Sequence, residues 1–150
     1  MKLLPFLLTT LLLVPAVVSA QQTAERSAAY TVDTGHSWLD ARLADINHYA
    51  ERYPDSFLDE LARYSGVRRA YAAALINNHG WQAADVYFAC FWAKVVQIDC
   101  RQSVRAFSAD PEGGWEAVVT RLPVPPERAH WQAMREAVEA SYKHWDRPAP

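Results

Sequence analysis

One stretch in the middle of the chain is apolar on nearly every side. It covers residues 85–96, DVYFACFWAKVV, which open with the acid Asp85 and contain one further charge, Lys94. A helix that is apolar all round belongs in the interior of a domain. The pattern therefore predicts a buried central helix over about 85–96, with the other segments packed around it.

The rest of the chain, up to its last few residues, is dominated by amphipathic helical patterns. Apolar residues recur at steps of three or four in six further segments, near 37–53, 55–65, 67–78, 100–107, 115–121 and 127–145. No segment alternates with period two between turn signals, so no sheet is predicted. We expect an all-α fold, a single compact bundle of six to seven short helices over residues 37–145. A flexible lead-in at 21–36 and a frayed tail at 146–150 flank it.

Several polar residues and one glycine fit the ends of these helices. Ser37 with Asp40 has the spacing of a capping box, and Asp99 precedes the short helix that begins with Cys100. Asp85 can accept from the free N–H groups at the start of the central helix. Gly66 is placed to end a helix in the left-handed conformation.

The N-terminus has the pattern of a secretory signal peptide. Lys2 is followed by an apolar run over residues 3–18, and Val18-Ser19-Ala20 offers small or tolerated residues for cleavage after Ala20. We expect cleavage there and a periplasmic or secreted protein; an uncleaved anchor is the alternative. No cysteine follows the small residues, which argues against a lipoprotein anchor. No other stretch has the length of a membrane span.

Charge and composition narrow the classes of partner. The formal net charge is −2, and loss of Lys2 with the signal peptide makes it −3. Such a balance gives no electrostatic footprint for nucleic acid or for an anionic membrane surface. The chain is rich in aromatic residues, with six Trp and seven Tyr. Those that exceed the needs of a core are candidates for a binding surface.

The chain contains two cysteines, Cys90 and Cys100, and both follow the predicted cleavage site. In an exported protein such a pair is expected to form a disulfide. Helix geometry is the difficulty, because six residues between Cys90 and the end of the central helix span ~9 Å, and bridged Cα atoms lie within ~7 Å. A steep crossing or an early helix end would close the gap. Two buried free thiols are the alternative.

The motifs around the central helix resemble a family of small exported bacterial all-helical proteins of unknown function. The matching residues are Trp81-x3-Asp85-Val86-Tyr87-x-Ala89-Cys90, then Cys100-Arg101, Gly114-Trp115-x2-Val118-x3-Leu122, and upstream Ile46-x2-Tyr49-Ala50-x2-Tyr53-Pro54. The resemblance covers most of residues 38–134. This chain departs from the family at Ala84, where Gly is usual, and at the turns 97–99 and 122–126. Because the family has no assigned activity, the resemblance implies a helical fold and no function.

Residues that could carry chemistry are few. Asp45 and His48 lie three apart and would share a helix face, but one Asp-x-x-His pair needs further ligands. Two exposed helix residues are the alternative interpretation. Asp85, at the mouth of the central helix, is the acid that we single out, with a cap as its alternative role. Asp85, Asp45 and His48 are thus the candidate polar site. We predict no catalytic residues, metal or cofactor.

These observations favour a non-enzymatic exported protein that binds an unknown protein or an envelope component. The hypothesis rests on predicted export, on the aromatic content and on the lack of a nucleophile–base–orienter pattern in the sequence. Two alternatives stay open. One is a small exported hydrolase of envelope polymers that uses carboxylates from separate helices. The other is a small-ligand carrier with a pocket between helices.

Overall fold

The computed structural model describes residues 32–148, where the regular elements are all helical. No β-strand occurs in this range, and the all-α prediction is confirmed. The range contains seven α-helices, α1 (Ser37–Arg52), α2 (Pro54–Glu60), α3 (Arg69–His79), α4 (Ala83–Val95), α5 (Cys100–Ala109), α6 (Gly114–Thr120) and α7 (Arg128–His144). A π-helical turn, Leu61–Ser65, extends α2. The predicted signal peptide, residues 1–20, lies outside the described residues, as do 21–31, 149 and 150.

Helix α4 is the centre of the bundle, as predicted. Each of its residues from Ala83 to Ala93 is buried. Helices α1, α3, α5 and α7 and the π-helical turn all pack against it. The Trp92 ring lies 4.4 Å from that of Trp131 on α7, and the Phe88 ring lies 4.8 Å from that of Trp115 on α6. Burial of these large side chains, at about 25 cal/mol per Å² of apolar surface, makes α4 the principal source of hydrophobic stabilisation.

The cap of α4 differs from the prediction. The helix begins at Ala83, two residues before Asp85, and the side chain of Asn47 on α1 accepts a hydrogen bond from the Ala84 N–H at 2.7 Å. Asp85 lies in the first helical turn, where its carboxylate accepts from the indole of Trp115. One of the free backbone N–H groups at the start of α4 is therefore capped by a side chain of another helix. Such a cap cannot be predicted from sequence spacing, because Asn47 and Ala84 are 37 positions apart.

The disulfide between Cys90 and Cys100 is present. The Cα atoms of the two cysteines lie 4.5 Å apart, and no cysteine is left free. Helix α4 ends at Val95, and Gln97 turns the chain with a φ of 58°. Asp99 then caps α5 as predicted, because its carboxylate accepts from the Arg101 N–H at 2.7 Å. The return of α5 along α4 removes the offset that the spacing suggested.

The described part of the predicted lead-in, residues 32–36, packs on the bundle. Val32 and Thr34 are both buried. The hydroxyl and the N–H of Thr34 donate to the Asp40 carboxylate at 2.6 and 2.9 Å. The predicted capping box is therefore wrong. The residue in the N-cap position of α1 is His36, no side chain there makes a capping hydrogen bond, and Asp40 binds Thr34 instead of completing a box with Ser37.

The end of α2 and the chain terminus complete the fold. Gly66 follows the π-helical turn with a φ of 79°, in the predicted left-handed conformation. Arg147, which lies in the predicted tail, forms an ion pair with Asp45 on α1 at 3.1 Å. The chain is thus tied to α1 beyond the end of α7. Within the described range, none of the helices has the length and apolar character that crossing a bilayer requires.

Candidate functional site

The three residues of the candidate polar site lie in separate surroundings. Asp85 is 3% exposed and accepts a hydrogen bond from the Trp115 indole at 2.8 Å. Asp45 accepts from the Tyr142 hydroxyl at 2.6 Å and pairs with Arg147. The side chain of His48 is 79% exposed, and its ring nitrogen lies 3.9 Å from Glu51. The structure therefore does not bring these residues together into one site.

The surroundings of Asp45 are those of a structural ion pair. Burial, and then the hydrogen bond to Asp45, raise the pKa of Tyr142 above its ordinary value. The tyrosine stays neutral and its hydroxyl donates a hydrogen bond to one carboxylate oxygen, while the other oxygen accepts from Arg147 at 3.1 Å. His48 points away from this cluster into solvent. No group of three or more His, Cys, Asp or Glu side chains in residues 32–148 could hold a metal ion.

A buried polar chain that the sequence did not reveal lies between α2, α4 and α7. The Glu60 carboxylate is 5% exposed and accepts from the Ser141 hydroxyl at 2.7 Å. The same oxygen lies 2.9 Å from Nδ1 of His144. The Tyr87 hydroxyl lies 2.7 Å from that of Ser141. Since Ser141 donates to Glu60, Tyr87 is the donor in this contact.

This network of hydrogen bonds does not have the geometry that activates a serine as a nucleophile. His144 contacts Glu60 and not Ser141, so no imidazole stands ready to take the serine proton. Ser141 is fully buried, and burial raises the pKa of Tyr87 well above its ordinary range. The network satisfies a carboxylate that would otherwise be costly to bury.

A solvent-open pocket of about 540 Å³ lies above this network. The side chain of His144, which is 34% exposed, reaches it and stacks on Tyr64, with the ring centres 3.9 Å apart. The sequence contains two indications that Glu60 and Ser141 are buried. Glu60 lies three residues after the core residue Phe57, and Ser141 lies beside the core residue Tyr142. A polar residue on an apolar face needs a buried partner, but the partner's identity depends on how α2 and α7 pack.

A second pocket lies where the first turn of α1 meets the first half of α7. Its volume is about 330 Å³, and we call it the arginine–tryptophan groove. It is lined by His36, Trp38, Leu39, Arg128, Trp131, Gln132 and Arg135. Leu39 is buried in the core, whereas the two tryptophans are half-buried and the two arginines are exposed. The groove thus offers aromatic walls and exposed cationic side chains.

Aromatic contacts hold the walls of the groove in place. The guanidinium carbons of Arg135 and Arg42 lie 3.9 and 4.7 Å from the centre of the Trp38 ring. The ring of His36 lies 3.9 Å from that of Trp131, which also touches the core residue Trp92. Contacts of a guanidinium with an indole face are attractive and leave the N–H groups at its edge available.

The arginines around the groove have no carboxylate partner in the part of the chain that the structure describes. Among the described residues, no Asp or Glu oxygen lies within 4.0 Å of a side-chain nitrogen of Arg42, Arg128 or Arg135. Nε of Arg42 is inaccessible to solvent and has no hydrogen-bond partner in that range. One acid lies at the rim, where Glu136 accepts a hydrogen bond from Gln132 at 3.1 Å.

Two other pockets in the described part of the chain differ in charge. The pocket beside the disulfide, of about 270 Å³, includes Asp99 together with Arg68 and Arg101. The pocket above the buried network includes Asp59 and Glu60. The lining of the arginine–tryptophan groove, by contrast, contains two arginines and a histidine but no acid. It is therefore the best candidate for an anion-binding site.

Fold and site together define a small all-α protein with one disulfide and a cationic, aromatic groove at its surface. No protein-family model, curated protein or solved structure matches the chain. The resemblance to exported helical proteins stays a prediction. The function has to be inferred from the geometry of the chain's own residues.

Proposed function

We propose that this chain is an exported, non-enzymatic binding protein whose macromolecular or envelope partner docks at the arginine–tryptophan groove. The proposal is supported chiefly by three arginines that have no carboxylate partner within residues 32–148, Arg42, Arg128 and Arg135, and that lie around half-buried indoles. Arginine and tryptophan are the side chains most enriched in the energetic centres of protein interfaces. Elsewhere in the described range Arg69, Arg121 and Arg147 are paired with acids, and five other arginines are not: Arg52, Arg63, Arg68, Arg101 and Arg105. What distinguishes the groove is that its arginines lie beside half-buried indoles in a pocket whose lining contains no acid.

Two features that favour export support this proposal. The disulfide is of the kind that persists in oxidising compartments. The signal-peptide pattern before Gln21 has the length and cleavage site of a secretory leader. Mass spectrometry of the protein from its native compartment should show an N-terminus at Gln21 and no free thiol. A chain that retains residues 1–20, or that reacts with two equivalents of a thiol reagent, would contradict export in this form.

Binding is favoured over the hydrolase alternative by the state of the acids. Asp45 and Glu60 are each held by two neighbouring side chains, and Asp85 is held by Trp115. A general acid or base needs a carboxyl group that can reach substrate. The carrier alternative needs an enclosed apolar cavity, whereas the three pockets described above open to the surface.

Site-specific photo-crosslinking in the native cells tests the proposal. A photoreactive amino acid at Gln132, an exposed residue of the groove, should give a discrete high-mass adduct. The same amino acid at Ser108, an exposed residue at the end of α5, is the matched control and should give none. The adduct should disappear in an Arg128→Ala/Arg135→Ala background. Equal adducts at both positions, or no adduct at Gln132, would refute docking at the groove.

A further inference from the structure

We infer that the occupant of the arginine–tryptophan groove is an acidic peptide segment of a partner protein, with carboxylates bound by Arg128 and Arg135 and apolar side chains against Trp38 and Trp131. The inference rests on the proposed function and names the chemistry of its ligand. Three steps lead to it: the availability of the arginine donors, the apolar character of the walls, and the small extent of the positive charge.

The donors of the groove suit a carboxylate. A guanidinium presents parallel N–H groups that match the two oxygens of a carboxylate or phosphate. Arg135 stacks on Trp38 at 3.9 Å, which restricts the side chain before any ligand arrives. Less conformational entropy is then lost on binding. Arg42 stacks on the same ring and adds a second positive charge beside it.

The walls of the groove suit apolar side chains next to the acids. Trp38, Leu39 and Trp131 line it together with the arginines. A volume of about 330 Å³ is at the lower end for ligand pockets and fits a few side chains better than a large rigid molecule. A peptide that alternates acidic and apolar residues would place carboxylates on the arginines and pack its apolar residues on the indoles.

The limited charge of the chain argues against larger polyanions. The formal net charge is −2, so the chain has no extended basic surface of the kind that follows the backbone of a nucleic acid. Recognition of anionic membranes uses clusters of about four to eight Lys or Arg, and the groove and its border have three arginines. The chain's own residues 21–31 are a poor occupant, because they contain one acid, Glu25, next to one base, Arg26.

Fluorescence anisotropy with defined probes tests the inference. The ligand probe is a short fluorescein-labelled peptide in which Asp and Glu alternate with Leu and Phe. Its matched counterpart carries Asn and Gln in place of the acids. The mature protein should bind the acidic peptide, with affinity that falls as salt rises, and should bind the neutral peptide at least tenfold more weakly. Loss of each charge-assisted contact is worth roughly tenfold in affinity.

Variants separate the groove from general charge. Arg128→Ala and Arg135→Ala should each weaken peptide binding roughly tenfold, and the double variant about a hundredfold. Arg105→Ala is the control, because Arg105 is exposed on α5 and outside the groove. It removes the same charge and should leave affinity within about twofold. All three side chains are exposed, so circular dichroism should report unchanged folding. An equal loss in the control would overturn the inference.

Competing probes distinguish the ligand class from the proposed function. A single-stranded oligonucleotide of equal net charge, phosphatidylglycerol vesicles, or inorganic phosphate that bound as tightly as the acidic peptide would overturn the peptide assignment. If the peptide fails to bind while the crosslink at Gln132 still forms, the ligand chemistry is wrong and the docking site stands. If the crosslink also fails, both are wrong.

Discussion

Reduction of the Cys90–Cys100 disulfide should destabilise the bundle by an amount that the structure sets. The bridge joins residues ten positions apart, and closing a loop of this size in the unfolded chain corresponds to about 3 kcal/mol at 25 °C. Cys90 is buried in α4 and α5 packs along that helix, so the two thiols should stay in place after reduction. The loss should therefore come from the greater freedom of the unfolded chain.

Urea titration of the oxidised and reduced protein measures this loss. With a denaturant slope of about 1.5 kcal/mol per M, the midpoint should fall by about 2 M, and the melting temperature by roughly 10 °C. The chain contains no other cysteine, so a reductant acts at this one bond. In the Cys90→Ala/Cys100→Ala variant the free energy of unfolding should fall by about 1 kcal/mol more than on reduction, because a buried sulfur is also lost.

Two results would refute this reasoning. Equal midpoints for the oxidised and reduced protein would show that the bridge adds nothing to stability. A reduced protein that loses its helical circular dichroism in the absence of urea would show that α4 and α5 need the bridge to pack at all.

Three further predictions follow from single contacts. Trp115→Phe removes the indole donor from buried Asp85. In urea unfolding it should lower the free energy of unfolding by about 2–3 kcal/mol more than the control Trp145→Phe, because the Trp145 indole N–H has no hydrogen-bond partner among the described residues. Equal losses would contradict a role for the Asp85 contact. Because the pKa of Tyr87 is raised in the folded state, its stability contribution is complete below the ordinary tyrosine pKa of 10.0 and is lost as pH rises above it. Tyr87→Phe should therefore lose less stability than the parent between about pH 8 and pH 11, and parallel losses in alkaline urea titrations would refute this. Gly114→Ala should lower the melting temperature by several degrees, since φ is 66° there and an added Cβ would lie 3.2 Å from the backbone oxygen of Asp33; an unchanged value would exclude strain at this turn.

The sequence was sufficient to predict that the fold is helical and that α4 lies at its centre. An apolar run without a polar face can only be stable inside a domain, so α4 was predictable as the central helix from composition alone. The disulfide was predictable as a hypothesis, and the structure confirms it. These features are local, or depend on the two cysteines of the chain.

The contacts of the acids were not predictable, because their partners are distant in sequence. Asp85 looked like a cap, but Trp115 on α6 donates to it and Asn47 on α1 takes over the capping. Glu60 and Ser141 meet across 81 positions. His48 has the right spacing from Asp45, yet spacing does not determine which face of α1 meets solvent.

The groove could not be predicted from the sequence either. By its spacing in the sequence, Trp131 belongs to the same apolar stripe as Met134, Val138, Tyr142 and Trp145, which predicts a core position. Met134, Val138 and Tyr142 are buried, whereas Trp131 is half-buried and lines the groove. The position of Trp38 beside Arg135 follows from how α1 crosses α7, and this is a property of tertiary packing.

Indole N–H resonances can show, tryptophan by tryptophan, whether the arginine–tryptophan groove is the binding surface. The chain has six tryptophans, so a ¹H–¹⁵N spectrum contains few such signals and each can be assigned by Trp→Phe substitution. On titration with the acidic peptide, the signals of Trp38 and Trp131 should shift, and those of the buried Trp92 and Trp115 should stay fixed. Shifts confined to Trp81 or Trp145, or no shift at all, would contradict the claim.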